Sequence, residues 1–190
     1  MLSRLQPLSA ADGRRSAEGD FSLSKAAFHQ NSRWNFIDTP AEPGYSFQVQ
    51  ELDVNQTILI VVGIDIKPEE MDRPLAYRVK EAFESSPLFG DHPFRKCLVI
   101  TDALYRHDKI IQVCPTVAIG GPGVNSVTAE FVEKLPVYLS CENRYFIQLD
   151  KEFAEPKISI WGMDRKDTEE ALEVFIANGI LDDFLRAIWK

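Results

Sequence analysis

The run Thr57-Ile58-Leu59-Ile60-Val61-Val62-Gly63-Ile64 is apolar and β-branched without interruption. A strand with one wet face alternates polar and apolar residues. A continuous run of this length belongs to a strand buried on both faces, as in a sheet covered by helices on each side. It is also far too short to cross a bilayer. A chain built around it is therefore expected to be a layered α/β protein.

The segments that follow repeat the pattern. Leu75, Val79, Ala82 and Phe83 recur at helical spacing, with Asp72 as the expected N-cap, Pro74 in the first turn, and Pro87 and Gly90 beyond the end. Cys97-Leu98-Val99-Ile100 reads as a second buried strand, with a short helical segment between Tyr105 and Ile111. Thr116-Val117-Ala118-Ile119 reads as a third, entering a glycine-rich loop and then a helix with Val127, Phe131, Val132 and Leu135 on its core side. Val137–Ser140 and Tyr145–Leu149 suit two short strands. The second leads through a hairpin loop at 150–155 to Lys157–Gly162. Asp167-Thr168-Glu169-Glu170 resembles a capping box before the stripe Ala171, Leu172, Phe175 and Ile176. Gly179 ends that helix, and a short one restarts with Leu181, Phe184, Leu185 and Ile188 inward. Strands alternating with helices imply right-handed crossovers. The expected fold is a single small three-layer α/β domain. Its central sheet is largely parallel, of four or five strands, with helices on both faces and one hairpin near the C-terminal end.

The domain is expected over residues 45–190. Tyr45, Phe47 and Val49 alternate as an edge strand would, and the turn-rich Thr39–Gly44 precedes them. Residues 1–44 lack sustained periodicity and read as a flexible or loosely packed N-terminal arm. Trp34 and Phe36 are its large apolar residues, and an arm embracing a partner subunit is one reading of them.

Charge narrows the partners. With 21 Lys and Arg against 29 Asp and Glu, the formal net charge is -8, opposite in sign to the basic footprint that phosphate neutralisation requires. Nucleic acid is therefore not expected as a partner. Met1–Ala10 has no apolar core after Arg4, and no stretch is long enough to span a bilayer, so neither export nor a membrane is expected. The Asn55-Gln56-Thr57 triplet then matches a glycosylation sequon by chance. Cys97, Cys114 and Cys141 are sparse and unpaired in spacing, which fits a reducing compartment and a cytoplasmic protein. Neither they nor His29, His92 and His107 have metal-ligand spacing, and no cofactor is expected.

In open α/β sheets ligands sit at the carboxyl ends of the strands. That rule nominates Asp65, Asp102 and Asp164 at strand ends, and above all Gly120-Gly121-Pro122-Gly123-Val124-Asn125-Ser126. A strand that enters a helix through glycines can bring backbone N–H groups and the helix dipole to an anion. Gly121, Gly123, Asn125 and Ser126 are the candidate contacts, with Asp65 and Asp102 beside them. The loop is neither a Walker A loop nor G-x-G-x-x-G. The plainer alternative is a tight turn with Asn125 or Ser126 capping the helix. Asp65, Asp102 and Asp164 have the oxygen chemistry of a Mg²⁺ site, and His107 with Asp102 that of an acid–base pair, although no nucleophile frame accompanies them.

Val117-Ala118-Ile119-Gly120-Gly121-Pro122-Gly123-Val124-Asn125 resembles the Gly-Gly-Pro-Ala-Val-Asn segment of the small α/β domains in archaeal S-layer and related surface proteins. The likeness extends over residues 116–179, through Trp161-Gly162-Met163-Asp164 and the helix beginning Asp167-Thr168-Glu169-Glu170-Ala171. Gly123 stands where that segment has alanine. The resemblance implies a small α/β module with this loop topology and not a shared function.

Two functions remain open on the sequence. One is a non-catalytic binding or interaction module that contacts a small anionic ligand at the loop, with homo-oligomers through Trp34, Phe36 or the Phe184/Trp189 stripe. The other is an enzyme acting on a phosphorylated or carboxylated metabolite, with Asp65 and Asp102 as metal or acid–base groups. The second requires those carboxylates to converge with the loop on one pocket.

Overall fold

A computed structural model of the chain describes residues 52–189. Six strands form one sheet: β1 (Thr57–Val62), β2 (Lys96–Thr101), β3 (Thr116–Ile119), β4 (Val137–Cys141), β5 (Tyr145–Leu149) and β6 (Lys157–Gly162). Their spatial order is β2-β1-β3-β6-β5-β4. The first four run parallel, β5 runs antiparallel to β6, and β4 antiparallel to β5. The sheet is thus six-stranded and mixed, and the expectation of four or five largely parallel strands is corrected. The reason lies in the connections. Short turns at 142–144 and 150–156 cannot reach back to the amino end of a neighbouring strand, so both joins reverse direction.

The apolar run in β1 does what its composition demands. Ile58, Ile60 and Val62 point into one core, with α1 (Ile66–Ser85), α4 (Arg165–Ala177) and α5 (Ile180–Ile188). Leu59 and Val61 point into the other, with α2 (Asp102–His107) and α3 (Ser126–Lys134). Every residue of β1 is buried. Phe83 of α1 is edge-on to Phe175 of α4, ring centroids 6.3 Å apart, and tilted against Phe184 of α5 at 6.0 Å. These rings lock the three helices of the larger core together.

Three helix starts differ from expectation: α2 begins at Asp102 and not at Tyr105, and those of α1 and α4 also move, the first of which matters for the site. Helix α1 begins at Ile66, not after Asp72, with Asp65 at its N-cap. Pro74 lies inside the helix; both it and Glu70, whose carbonyl it cannot satisfy, are exposed, so water replaces the lost bond. Asp72 is consequently not a cap. It stands in the inward stripe of α1 with Pro68, Leu75, Ala76, Val79 and Phe83. Helix α4 is capped by Asp164, whose carboxylate accepts from the Asp167 N–H at 2.8 Å. Asp167 and Glu170, read as the capping box, instead accept from Arg144 at 3.0 Å each and tie the β4–β5 turn to α4.

Candidate functional site

The four parallel strands bring the ends of β2, β1, β3 and β6 to one edge of the sheet. The connections leave in opposite senses from the parallel neighbours β1 and β3, since α1 packs over one face and α3 over the other. A crevice is expected at such a switch point. Here the chain fills it. Asn125 is fully buried, and its carboxamide donates to the carbonyls of Val61 at 3.0 Å and Ile119 at 2.9 Å. Its Oδ1 accepts from the N–H groups of Val127 at 3.0 Å and Thr128 at 3.3 Å, capping α3. The Asp102 carboxylate takes both the N–H and the hydroxyl of Ser126, at 2.9 and 2.8 Å. The amino end of α3 is thus satisfied from within the protein, and the tight-turn reading accounts for Asn125 and Ser126.

The open space lies one strand further on. A cleft of about 590 Å³ is bounded by the start of α1 (Lys67, Pro68, Met71, Asp72), by residues 121–124, and by Trp161–Arg165 with Thr168. Its size falls within the range of small-molecule sites. Of the sequence candidates, Gly121 and Gly123 line it, as does Asp164; Asp65, Asp102, Asn125 and Ser126 do not. Asp65 is exposed at the N-cap of α1 and makes no side-chain cap bond. His107 is exposed at the end of α2. Among the described residues no three His, Cys, Asp or Glu side chains are grouped to hold a metal ion. A smaller depression of about 300 Å³ lies beside Leu149, Phe153 and Ile180, towards the amino end of β6.

Asp72 forms the inner wall of the cleft and is the residue that sequence reasoning missed as a site group. Only 7% of it is exposed, and no described residue donates a hydrogen bond to its carboxylate. Burial pushes its pKa up to about 6, against the opposing field of Arg165. The carboxylate is accommodated because residue 120 is glycine, with φ at +97°; a Cβ there would overlap Asp72 Oδ2. A carboxylate in register with Leu75, Val79 and Phe83 was visible in the sequence, but Pro74 drew the helix start past it.

Gly121 and Gly123 differ from Gly120. Neither has a positive φ; a Cβ on Gly121 would meet only the Gly162 carbonyl oxygen at 3.9 Å, and one on Gly123 would meet nothing within 4 Å. Thr168 fixes the other side of the mouth, its hydroxyl accepting from the Gly162 N–H and donating to the Asp164 carbonyl, each at 3.0 Å.

The C-terminal stripe is engaged within the domain. Phe184 is wholly buried, and Trp189 packs edge-on to Phe89 at 5.2 Å beneath the Arg95 guanidinium, its indole N–H donating to Asn55 O at 3.0 Å. Trp34, Phe36 and the strand expected at Tyr45–Val49 lie outside the described residues. No helix among the described residues is long and apolar enough to cross a membrane. No protein-family model matches the chain, and no curated protein matches it.

Proposed function

We propose that the domain is a small-molecule-binding module, without catalysis, and that its site is the cleft between the start of α1, residues 121–124 and the β6–α4 junction. The observation that carries this reading is the contrast among the loop glycines. At Gly120 the backbone demands glycine; at Gly121 and Gly123 it does not. What the missing side chains leave at 121 and 123 is an open cleft mouth on a rigid sheet edge. The enzyme alternative built on Asp65 and Asp102 loses support, because neither carboxylate lines this cleft and Asp102 is committed to Ser126.

The test is thermal shift of the full chain against nucleotides, sugar phosphates, carboxylates, amines and amino acids. A ligand at a hundred times its dissociation constant stabilises by about 2.7 kcal/mol. Gly123→Leu fills the mouth without backbone strain and is expected to abolish the shift while preserving the unliganded Tm. A shift that survives Gly123→Leu, or no shift with any class, would overturn the assignment of the cleft.

A further inference from the structure

The side chains of Asp72, Lys67 and Arg165 line the cleft with no hydrogen bond or ion pair to a described residue. Asp72 is buried and accepts no hydrogen bond from a described residue. Lys67 and Arg165 stand in the first turns of α1 and α4, where the helix dipole disfavours a cation, and neither is ion-paired with a described residue. An anion between them would answer both the dipoles and the side chains. A buried carboxylate requires the opposite, a donor. Lys67 and Arg165 line the same cleft as Asp72, so the anion and donor positions face one space of ligand size. A ligand satisfying both carries its own cation and anion a few ångströms apart.

Asp164 and Thr168 also line the cleft, with hydrogen bonds within the β6–α4 junction, and the remainder of the wall is apolar and adaptable. Met71, Val124 and Met163 are 42%, 38% and 70% exposed, and Pro68, Pro122 and Trp161 complete the lining. Thioethers at the rim follow the shape of an apolar group without fixing it. A sugar phosphate or free nucleotide phosphate has no cationic group for Asp72 and gains little from this surface.

We infer that the cleft holds an apolar α-amino acid, its ammonium on Asp72, its carboxylate on Arg165 with Lys67 alongside, and its side chain against Met71, Val124 and Met163. This rests on the assignment of the cleft as the ligand site and adds the class of ligand. Specificity follows from pairing both charges: a compound lacking either leaves one buried or dipole-opposed group unanswered.

Calorimetric titration of the full chain with L-leucine, L-methionine and L-phenylalanine tests it, with 4-methylpentanoate and 3-methylbutylamine as the leucine analogues lacking one charge. At least one amino acid is expected to bind, and its matched single-charge analogue at least tenfold more weakly. Asp72→Asn, which keeps the shape and removes the charge, is expected to weaken the amino acid at least tenfold while leaving the fold intact by circular dichroism. Arg165→Ala is expected to weaken it similarly. Equal binding of 4-methylpentanoate and leucine, or unchanged affinity in Asp72→Asn, would overturn the zwitterion pairing. Silence with all three amino acids would overturn it too. If another compound class then binds and Gly123→Leu abolishes that binding, the cleft remains the ligand site and the ligand class alone is wrong. If no class binds, both readings fall.

Discussion

Asp72 and Gly120 share one space: the carboxylate on the inner face of α1 occupies the volume that a side chain at the end of β3 would need. The loop after β3 and the wall of the cleft are therefore coupled through a single steric contact, separate from any ligand.

That contact predicts a sharp difference between neighbouring glycines. Gly120→Ala adds a methyl group at φ +97° against Asp72 Oδ2 and is expected to destabilise by at least about 2 kcal/mol. In an Asp72→Ala background the nearest contact becomes Cβ to Cβ at 3.8 Å, so the same substitution should cost clearly less. Gly123→Ala should stay within about 0.5 kcal/mol of the parent. Urea unfolding of the four variants measures all of this, and equal costs for Gly120→Ala in both backgrounds would refute the coupling.

Asp72 also sets a pH dependence. Its folded-state pKa of about 6 lies above the ordinary 3.8, so the folded state holds this proton more tightly than the unfolded one. The group then costs nothing below about pH 4, and its penalty grows between pH 4 and 6 and is complete above. Asp72→Asn should raise stability at pH 7 by roughly 1–2 kcal/mol, discounted for solvent reaching the cleft. The gain should vanish at pH 4. Denaturant midpoints at the two pH values decide it; no gain at pH 7 would show that the carboxylate finds compensation in the folded protein, and a gain independent of pH would show that its charge is not the source.

Asn125 should behave as a structural residue. Asn125→Ala removes the cap of α3 and leaves the buried carbonyls of Val61 and Ile119 short of a donor, a combined loss of about 2–4 kcal/mol. The expected signature is a lowered Tm with affinity unchanged for whatever ligand the cleft binds. Selective loss of affinity at constant stability would contradict it.

Thiol reactivity should separate the three cysteines. Burial raises the Cys97 thiol to about 12 and Cys114 to about 11, and both are enclosed in the cores. Cys141 is partly exposed, with the Arg144 guanidinium donating to its sulfur at 3.8 Å. Titration with a disulfide reagent should find one reactive thiol in the native protein and three in denaturant. Rapid modification of Cys97 without unfolding would indicate an opening of the larger core.

How much of this was legible in the sequence differs from element to element, for physical reasons. Local composition determined β1, β3 and most of the inward stripes of α3, α4 and α5, because burial on two faces or on one helical stripe demands apolar residues at fixed spacing. Strand β2, read as a buried strand, is instead the half-buried edge of the sheet, and Ile176 is exposed. Composition also located the edge that carries the cleft, because parallel strands place their carboxyl ends together. Only the tertiary structure decided the direction of β4, the start of α1 and the position of the cleft. A helix start depends on which residues find partners, and Pro74 inside α1 is tolerated because its turn faces water. Asn125, Ser126 and Asp102 carry the chemistry of ligand groups, yet folding engages most of it: Asn125 bonds Val61, Ile119 and its own helix, and Ser126 bonds Asp102 Oδ2, while Asp102 Oδ1 stays buried without a partner among the described residues. Asp72 reads as an ordinary cap, yet folding leaves its carboxylate buried without a donor among the described residues. Residue type records what a side chain can bind, whereas packing determines which of those capacities are left over.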